Sequence, residues 1–317
     1  MPVTPRLDRR RFLALGAALT AGAGTRAFAQ ADAAPLALEQ VAPGVHVYRA
    51  PYALVAPDND GAIANATLIV GDEAAAVIDT GNSRLAGARL KAAVRAVTDR
   101  PLRYVINTHM HPDHTLGNAA FAGEGTRFVG HHKLPRALSQ RAETYLAQAQ
   151  RLLGAEAEGT AIVLPDLLVE DRLVLDLGGR PLELVAHPTA HTDNDLTVFD
   201  SATGTRVMGD LLFVGHIPTL DGSLLGWLRL LDSLAALPTT RAVPGHGPAS
   251  VAWPQAAEAE RRYLQLLRDD VRRILAEGRP MGDAPALVAT AEGKEWALFD
   301  EFNARNAIAA YHELEWE

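Results

Sequence analysis

Residues 44–50, "GVHVYRA", alternate apolar and polar side chains with the period of two expected of a half-buried strand, and His46 falls on its outward side. "AIANATLIVGDEAAAVIDTG" (62–81) reads as two further strands joined at Gly71, Asp72 and Glu73. The period then lengthens. In "SRLAGARLKAAVRAVT" (83–98), Leu85, Leu90, Val94 and Val97 fall near one face and Lys91 and Arg95 away from it, which predicts an amphipathic helix. "YVIN" (104–107) is a short β-rich run that gives way to a polar stretch at residue 107. A strand end of this kind lets a rigid scaffold hold accessible groups.

Farther on, "RFVG" (127–130) reads as a strand, Leu134 to Leu153 as a helix, and "DRLVLDLGG" (171–179) and "LELVAHP" (182–188) as strands. "DLTVFDSATGTRVMGDLLF" (195–213) has a turn sequence between two apolar runs and predicts a hairpin. The apolar helix at 224–237 presents Leu224, Leu225, Trp227, Leu228 and Leu231 to a core, and one edge of it could wall a cleft. "RAVPGHGP" (241–248) is another strand breaking into a Gly/Pro loop. From Pro254 onward the pattern is helical, with a hinge expected at 278–285. Strand pairs alternating with helices, with polar groups at the strand ends, indicate an α/β fold.

The amino terminus is patterned differently. Arg9, Arg10 and Arg11 precede Phe12 and Leu13, a short Gly/Ala-rich apolar run follows, and Ala27, Phe28 and Ala29 close it. This resembles a twin-arginine export signal over residues 1–29, cleaved after Ala29. The apolar run is about half of the roughly 20 residues a spanning helix needs. A periplasmic protein with no membrane span after cleavage is therefore expected. Loss of residues 1–29, which hold five arginines and one aspartate, takes the formal charge from −8 to about −12. Such a chain has no electrostatic footprint for nucleic acid or an anionic membrane. It contains no cysteine, so disulfides and thiolate ligands are excluded and any metal site must use His, Asp and Glu.

Candidate chemistry concentrates in "NTHMHPDHTLGN" (107–118). His109 and His111, two apart, put their rings on the same side of an extended backbone. Asp113 and His114 follow the turn-forming Pro112 and can point at a neighbouring position, so the spacing suits two adjacent metals better than one. Four polar groups in six residues beside an apolar strand have no packing rationale. His191 in "AHTDND", Asp210 in "MGDLLF" and His246 in "PGHG" each lie at or just past a β-rich run, which makes five histidines and two aspartates in all.

The H-x-H-x-D-H run, followed by H-T, G-D and P-G-H-G, resembles the metallo-β-lactamase-fold hydrolases over roughly residues 41–250. "VIDTG" (77–81) and Asn65 in "NATLIV" match that family's early strands. The resemblance implies a four-layer αββα sandwich over residues 30–253, with residues 254–317 as a helical extension packed on it. It implies two Zn²⁺ ions per chain: His109, His111 and His191 on the first, Asp113, His114 and His246 on the second, and Asp210 bridging both. Asp79 would orient the histidine loop from outside the ligand set, or serve only as a turn-former before Gly81. His216 could reach the substrate cleft or be a loop histidine bonded to backbone. Asp113 could shuttle a proton, although ligation alone ranks first; His131 and His132 are expected to be structural.

Two features refine the resemblance. The glycine usual after H-T is replaced by Asp193 and Asn194, and since Asn tolerates left-handed geometry the turn can survive. Asp210 stands where zinc β-lactamases generally lack an aspartate and where glyoxalase II-like and lactonase branches have one. His111 favours zinc hydrolysis over the diiron branch, although related persulfide dioxygenases keep the same motif with a single iron. "HPTAHTDNDLTVFD", the 209–238 stretch, "VPGHGP" and the terminal "ELEWE" resemble the periplasmic quinoprotein relay system zinc metallohydrolases. The expected function is then hydrolysis of an ester, thioester, lactone or amide carbonyl in a small molecule by a metal-generated hydroxide, accessory to a quinoprotein dehydrogenase system. The chain has no G-x-S-x-G elbow to supply a nucleophile. A β-lactamase or lactonase, and a non-catalytic metal-binding accessory protein, are the alternatives. Substrate choice would lie in segments 51–61 and 134–170.

Overall fold

The central apolar runs that the sequence places in strands, at 66–70, 75–78 and 205–213, are buried on both sides, as strands between helical layers require. In the computed structural model, which describes Met1 and residues 34–123 and 125–317, the strands build two sheets packed face to face. The export signal expected over residues 1–29 lies, Met1 apart, outside the described residues. No helix among the described residues is long and apolar enough to cross a membrane.

The first sheet has seven strands in chain order: β1 (Leu38–Ala42), β2 (Val45–Tyr48), β3 (Ala66–Val70), β4 (Ala75–Ile78), β5 (Leu102–Ile106), β6 (Arg127–His131) and β7 (Leu167–Val169). It is antiparallel through β4 and parallel from β4 to β7. The second sheet contains β8 (Arg172–Asp176), β9 (Pro181–Ala186), β10 (Leu196–Asp200), β11 (Thr205–Phe213), β12 (Arg241–His246) and β13 (Val251–Ala252), in the order β13-β12-β11-β10-β9-β8. β10 and β11 form the expected hairpin, and β12 runs parallel to β11.

The strand period decides which side chains enter which layer. Ile69, Ile78 and Ile106 point between the sheets and meet Leu184, Val198 and Val243. Leu68, Val77 and Val105, one residue earlier in each strand, face the other way and pack on α1 (Arg84–Val97). α1 starts at Ser83, whose hydroxyl accepts from Ala86 N at 3.0 Å, a side-chain cap on an otherwise unpaired N–H. Its buried stripe is Ala86, Leu90, Ala93 and Val94; Val97, expected on the same face, is exposed because the helix ends there. α2 (Pro112–Thr115) is a single turn inside the histidine stretch, and α3 (Leu134–Leu153) follows β6.

The outer face of the second sheet is covered by α4 (Leu224–Ala235), α5 (Glu258–Ala276), α6 (Ala284–Leu287) and α7 (Phe299–Leu314). Trp227 and Leu231 of α4 share one apolar cluster with Tyr263 and Leu267 of α5 and Ala307 and Ala310 of α7. The layers are thus αββα, with the carboxy-terminal helices in the outer layer of the second sheet. The helical run breaks after Ala276 and resumes at the short helical turn Met281–Asp283, within the expected hinge. β1 has no counterpart in the alternation pattern; it is an edge strand that pairs with β2, and its Val41 carbonyl accepts from Arg241 of β12.

Candidate metal centre

The histidine stretch leaves the end of β5 and is braced by its own two ends. Asn107 donates to the His114 carbonyl at 2.9 Å, and Asn118 donates back to Asn107 Oδ1 at 2.7 Å. Thr80 Oγ1 donates to Asn118 Oδ1 at 2.8 Å. At Gly117 a Cβ would lie 2.0 Å from the Thr80 carbonyl, so only glycine lets the stretch fold back this closely. Pro112 opens α2 behind an extended His111, which turns Asp113 and His114 away from the direction of His109 and His111.

Asp79 sits at the end of β4 with φ of 60°, a left-handed conformation uncommon for a non-glycine residue. Its buried carboxylate accepts from Thr108 N at 2.9 Å, Thr108 Oγ1 at 2.7 Å and His114 Nδ1 at 2.8 Å. Because the Thr108 hydroxyl donates to Asp79, its oxygen accepts from His109 Nδ1 at 3.0 Å. Both rings therefore carry their proton on Nδ1 and turn Nε2 inward. His191 reaches the same state by donating Nδ1–H to the Thr219 carbonyl at 2.7 Å. His111 is reversed: Nε2 donates to Asp221 Oδ2 at 3.0 Å and Nδ1 faces the centre.

The inward atoms form two groups. His111 Nδ1 lies 3.1 Å from His109 Nε2 and 3.0 Å from His191 Nε2, and Asp210 Oδ2 lies 3.7 and 3.4 Å from those same two Nε2 atoms. Asp113, His114 and His246 make the second group, with Asp113 Oδ2 3.3 Å from His246 Nε2 and 3.6 Å from His114 Nε2. Asp210 stands between them, its Oδ1 3.2 Å from His114 Nε2 and its Oδ2 3.5 Å from His246 Nε2. Ligands bound at about 2.1 Å in a tetrahedron are separated by about 3.4 Å, so the spacing fits first-row divalent ions. The buried His114 Nε2 and Asp210 Oδ1 have no hydrogen-bond partner even though they face each other, and each would cost about 1–3 kcal/mol if left so. Lone pairs aimed at a shared point without a donor are what a cation resolves.

Charge leads to the same conclusion. Burial first, then the His114 charge, holds His109 well below its ordinary value, and burial lowers His191 to about 3. Burial acts against the charge on His114 too, but Asp210, Asp113 and Asp79 outweigh it and hold the ring well above its ordinary value. His246 is likewise raised to about 9, with Asp210 and a hydrogen bond that His246 donates to Asp113 overcoming burial. For Asp113 and Asp210 burial is opposed, and outweighed, first by His114; both end well below the carboxylate range. The two carboxylates thus demand positive charge beside His114 and His246, which is what a cation held there would supply.

All seven residues expected as ligands converge, together with Asp79. His216 lies beside them: its Nδ1 donates to the Ile217 carbonyl at 2.7 Å and its ring centre is 4.8 Å from that of His246. His131 is a buried strand-end residue whose Nδ1 accepts from Lys133 N, and His132 stacks on it. The turn after His191 survives the loss of glycine by a different route from the one expected. Neither Asp193 nor Asn194 has positive φ; instead the Asp195 carboxylate accepts from Thr192 N and Thr192 Oγ1. Asp221 and the Thr219 carbonyl were not foreseen. "TLDGS" reads as an ordinary turn, and nothing local ties it to histidines far away in the chain.

Comparison with known proteins agrees with this geometry. Residues 59–246, more than half of the chain, match the metallo-β-lactamase superfamily profile. A linear primary-alkylsulfatase from Pseudomonas sp. (strain ATCC 19151) is 35% identical over 57 residues, 18% of this chain and 11% of that enzyme. Two solved structures share the fold. One is a stereoselective inverting sec-alkylsulfatase from Pseudomonas sp. (TM-score 0.67, 16% identity, 87% of this chain and 50% of that one). The other is a metallo-β-lactamase family protein from Thermus thermophilus (TM-score 0.64, 22% identity, 87% and 94%). The chain thus spans about half the length of the sec-alkylsulfatase it resembles.

Proposed function

The chain belongs to the metallo-β-lactamase superfamily, and from that premise we propose that it is a periplasmic dinuclear zinc hydrolase. Its substrate would be a small molecule with an ester, thioester, lactone or amide carbonyl, and its work would serve a quinoprotein dehydrogenase system. The observation that carries the reading is the pair of facing ligand groups with unpartnered buried atoms at their junction. His109, His111, His191 and Asp210 would hold one ion, and Asp113, His114 and His246 the other, with Asp210 shared between them. When bound, zinc supplies acidity and positive charge, lowering the pKa of water from 15.7 to about 7.

The chain's own residues set the geometry. Asp79 fixes His109 and His114 from behind. Phe213, stacked on His246 with ring centres 5.1 Å apart, and Trp227, 5.3 Å from His191, keep water from the buried side. Asp113 is 15% exposed against 4% for Asp210, so of the two ligating carboxylates Asp113 is the one placed to pass a proton between the centre and solvent. With no cysteine the chain offers no thiolate nucleophile, and it has no G-x-S-x-G elbow.

A second reading, hydrolysis of a sulfate ester, is favoured by one observation besides the alkylsulfatase likeness. A cavity of 330 Å³ is lined by Lys133, Arg136 and Arg141 with Gln140 and Asp193, and Asp193 is two residues from His191. Cations in that position suit a substrate that keeps a negative charge.

The test is elemental analysis of the exported protein followed by a substrate panel. About two zinc ions per chain, falling to about one in His246→Ala, with turnover of carbonyl esters, thioesters or lactones, is the expected result. Sulfate release without carbonyl turnover favours the second reading, and nitrocefin turnover a β-lactamase. One iron per chain overturns the hydrolytic assignment. If Asp113→Asn complements a deletion strain as well as wild type does, the protein is a non-catalytic accessory. Export is checked by fractionation, where a joint Arg10→Lys and Arg11→Lys change should leave the protein in the cytoplasm.

A further inference from the structure

Residues 214–223, between β11 and α4, have no regular structure of their own, yet they carry the outer contacts of two histidines. The Thr219 carbonyl accepts from His191 Nδ1, and Asp221 accepts from His111 Nε2. Backbone bonds tie part of this segment to the rest of the fold, with Ser223 N donating to the Ala190 carbonyl at 2.8 Å, Asp221 N to the His191 carbonyl at 3.1 Å and Ile217 N to the Ala297 carbonyl at 3.1 Å. The side chains that hold its second half come from the carboxy-terminal helices. Asn306 of α7, fully buried, accepts from Leu220 N through Oδ1 at 2.9 Å and donates through Nδ2 to the Pro218 carbonyl at 2.6 Å. Glu313, two turns on, accepts from Ser223 Oγ at 2.7 Å and Leu224 N at 2.6 Å.

The Asn306 contact has a particular geometry. Leu220 N–H and the Thr219 carbonyl belong to one peptide unit, and in a planar trans peptide they point in opposite directions. The N–H goes to Asn306 and the carbonyl to His191. The Thr219–Leu220 peptide is therefore held at both ends, by the last helix on one side and by an inward-facing histidine on the other. Its carbonyl can only accept, so it keeps the His191 proton on Nδ1 and leaves Nε2 bare toward His111 Nδ1, 3.0 Å away.

We propose that Asn306 is a positioning residue of the metal centre, acting through the Thr219–Leu220 peptide to set the ring orientation and tautomer of His191. The assignment rests on the metal-centre reading above and gives the carboxy-terminal helices a task in metal affinity rather than in covering the sheet alone. Outer partners of ligating histidines typically change metal affinity 10–100-fold when removed.

The experiment measures zinc affinity by competition with a chromophoric chelator, together with the thermal midpoint of the metal-free form. Asn306→Leu is compared with Asn303→Leu, a buried neighbour on the same helix that also meets Tyr263 but whose hydrogen bonds go to Tyr263 and the Val288 carbonyl. Asn306→Leu should weaken one of the two sites by about 10–100-fold, while Asn303→Leu lowers the midpoint without changing affinity. Asn306→Asp, which keeps the acceptor for Leu220 N and loses the donor to the Pro218 carbonyl and the Tyr263 hydroxyl, should retain most of the affinity and serves if the leucine variant does not fold. Equal affinity in Asn306→Leu and wild type, or equal losses in both leucine variants, overturns the proposal. A wild-type protein that takes up no metal overturns the metal-centre reading and this proposal with it.

Discussion

The two sheets deliver their ligands in opposite ways. The first supplies His109, His111, Asp113 and His114 from one contiguous stretch, braced within itself by Asn107 and Asn118 and from the next strand by Asp79, with only His111 reaching a distant outer partner, Asp221. The second supplies His191, Asp210 and His246 singly from three places, and at least His191 is set by residues 28 and 115 positions downstream, through Thr219 and then Asn306. A ligand cluster encoded locally can brace itself. One assembled from separate strand ends must borrow its bracing from elsewhere in the chain, here from the outer helices.

That contrast is open to direct attack, most strongly at Asp79. Asp79→Ala strips three buried donors of their acceptor, one of them the raised His114, and should cost about 3–5 kcal/mol, read as a shift in the urea midpoint. A loss under about 1 kcal/mol would show that the first half is not self-braced. In the second half the corresponding lesion is steric. A Cβ at Gly245 would lie 1.9 Å from Asp210 Oδ1, so Gly245→Ala should cost about 1–3 kcal/mol and lower metal content at both groups, because it displaces the shared carboxylate. Loss of only one ion by elemental analysis would argue against Asp210 bridging.

A pH series separates the centre from its surroundings. His246 is raised to about 9 in the metal-free protein, so its stabilising contribution is complete below its ordinary value of 6.5 and is lost as pH rises through 9. His131 and His187, away from the ligand groups, are lowered to about 4, mainly by burial, so theirs is present above 6.5 and lost as pH falls toward 4. Zinc should remove the part of the alkaline decline that His246 contributes between pH 6.5 and 9, since ligation replaces its proton, while the buried Asp195 and Glu260, both raised by burial, keep theirs. A decline between pH 6.5 and 9 that zinc leaves unchanged in size would place His246 outside the metal centre. The smallest effect is expected at Arg305, whose half-exposed guanidinium lies 3.7 Å from Asp221. Arg305→Ala should change stability by less than about 1 kcal/mol, and a larger loss would extend the outer bracing to the surface.

Most of the ordered elements were legible because each repeats with its own period over enough residues. Leu134–Leu153 and the β10–β11 hairpin are examples. β1 was missed because it is a short edge strand whose apolar residues do not alternate cleanly, and Val97 was misassigned because the helical period continues to the point where the helix itself stops. At the site, the ligand residues could be named from motif and context. Asp221, the Thr219 carbonyl and Asn306 could not, since each looks like ordinary turn or helix content until the chain is folded.

By itself the sequence determined the chemistry on offer: histidine and aspartate without cysteine, four of them in a turn shaped by Pro112, and a family pattern spanning most of the chain. Those properties are local, written in residue type and short spacing, so they survive without knowledge of the fold. Only the tertiary structure decided that Asp210 stands between the two groups, which nitrogen each histidine turns inward, and that the last helix holds the peptide behind His191. Each of these depends on a contact between residues far apart in the chain. Strand order and helix packing create such contacts, and no local pattern records them.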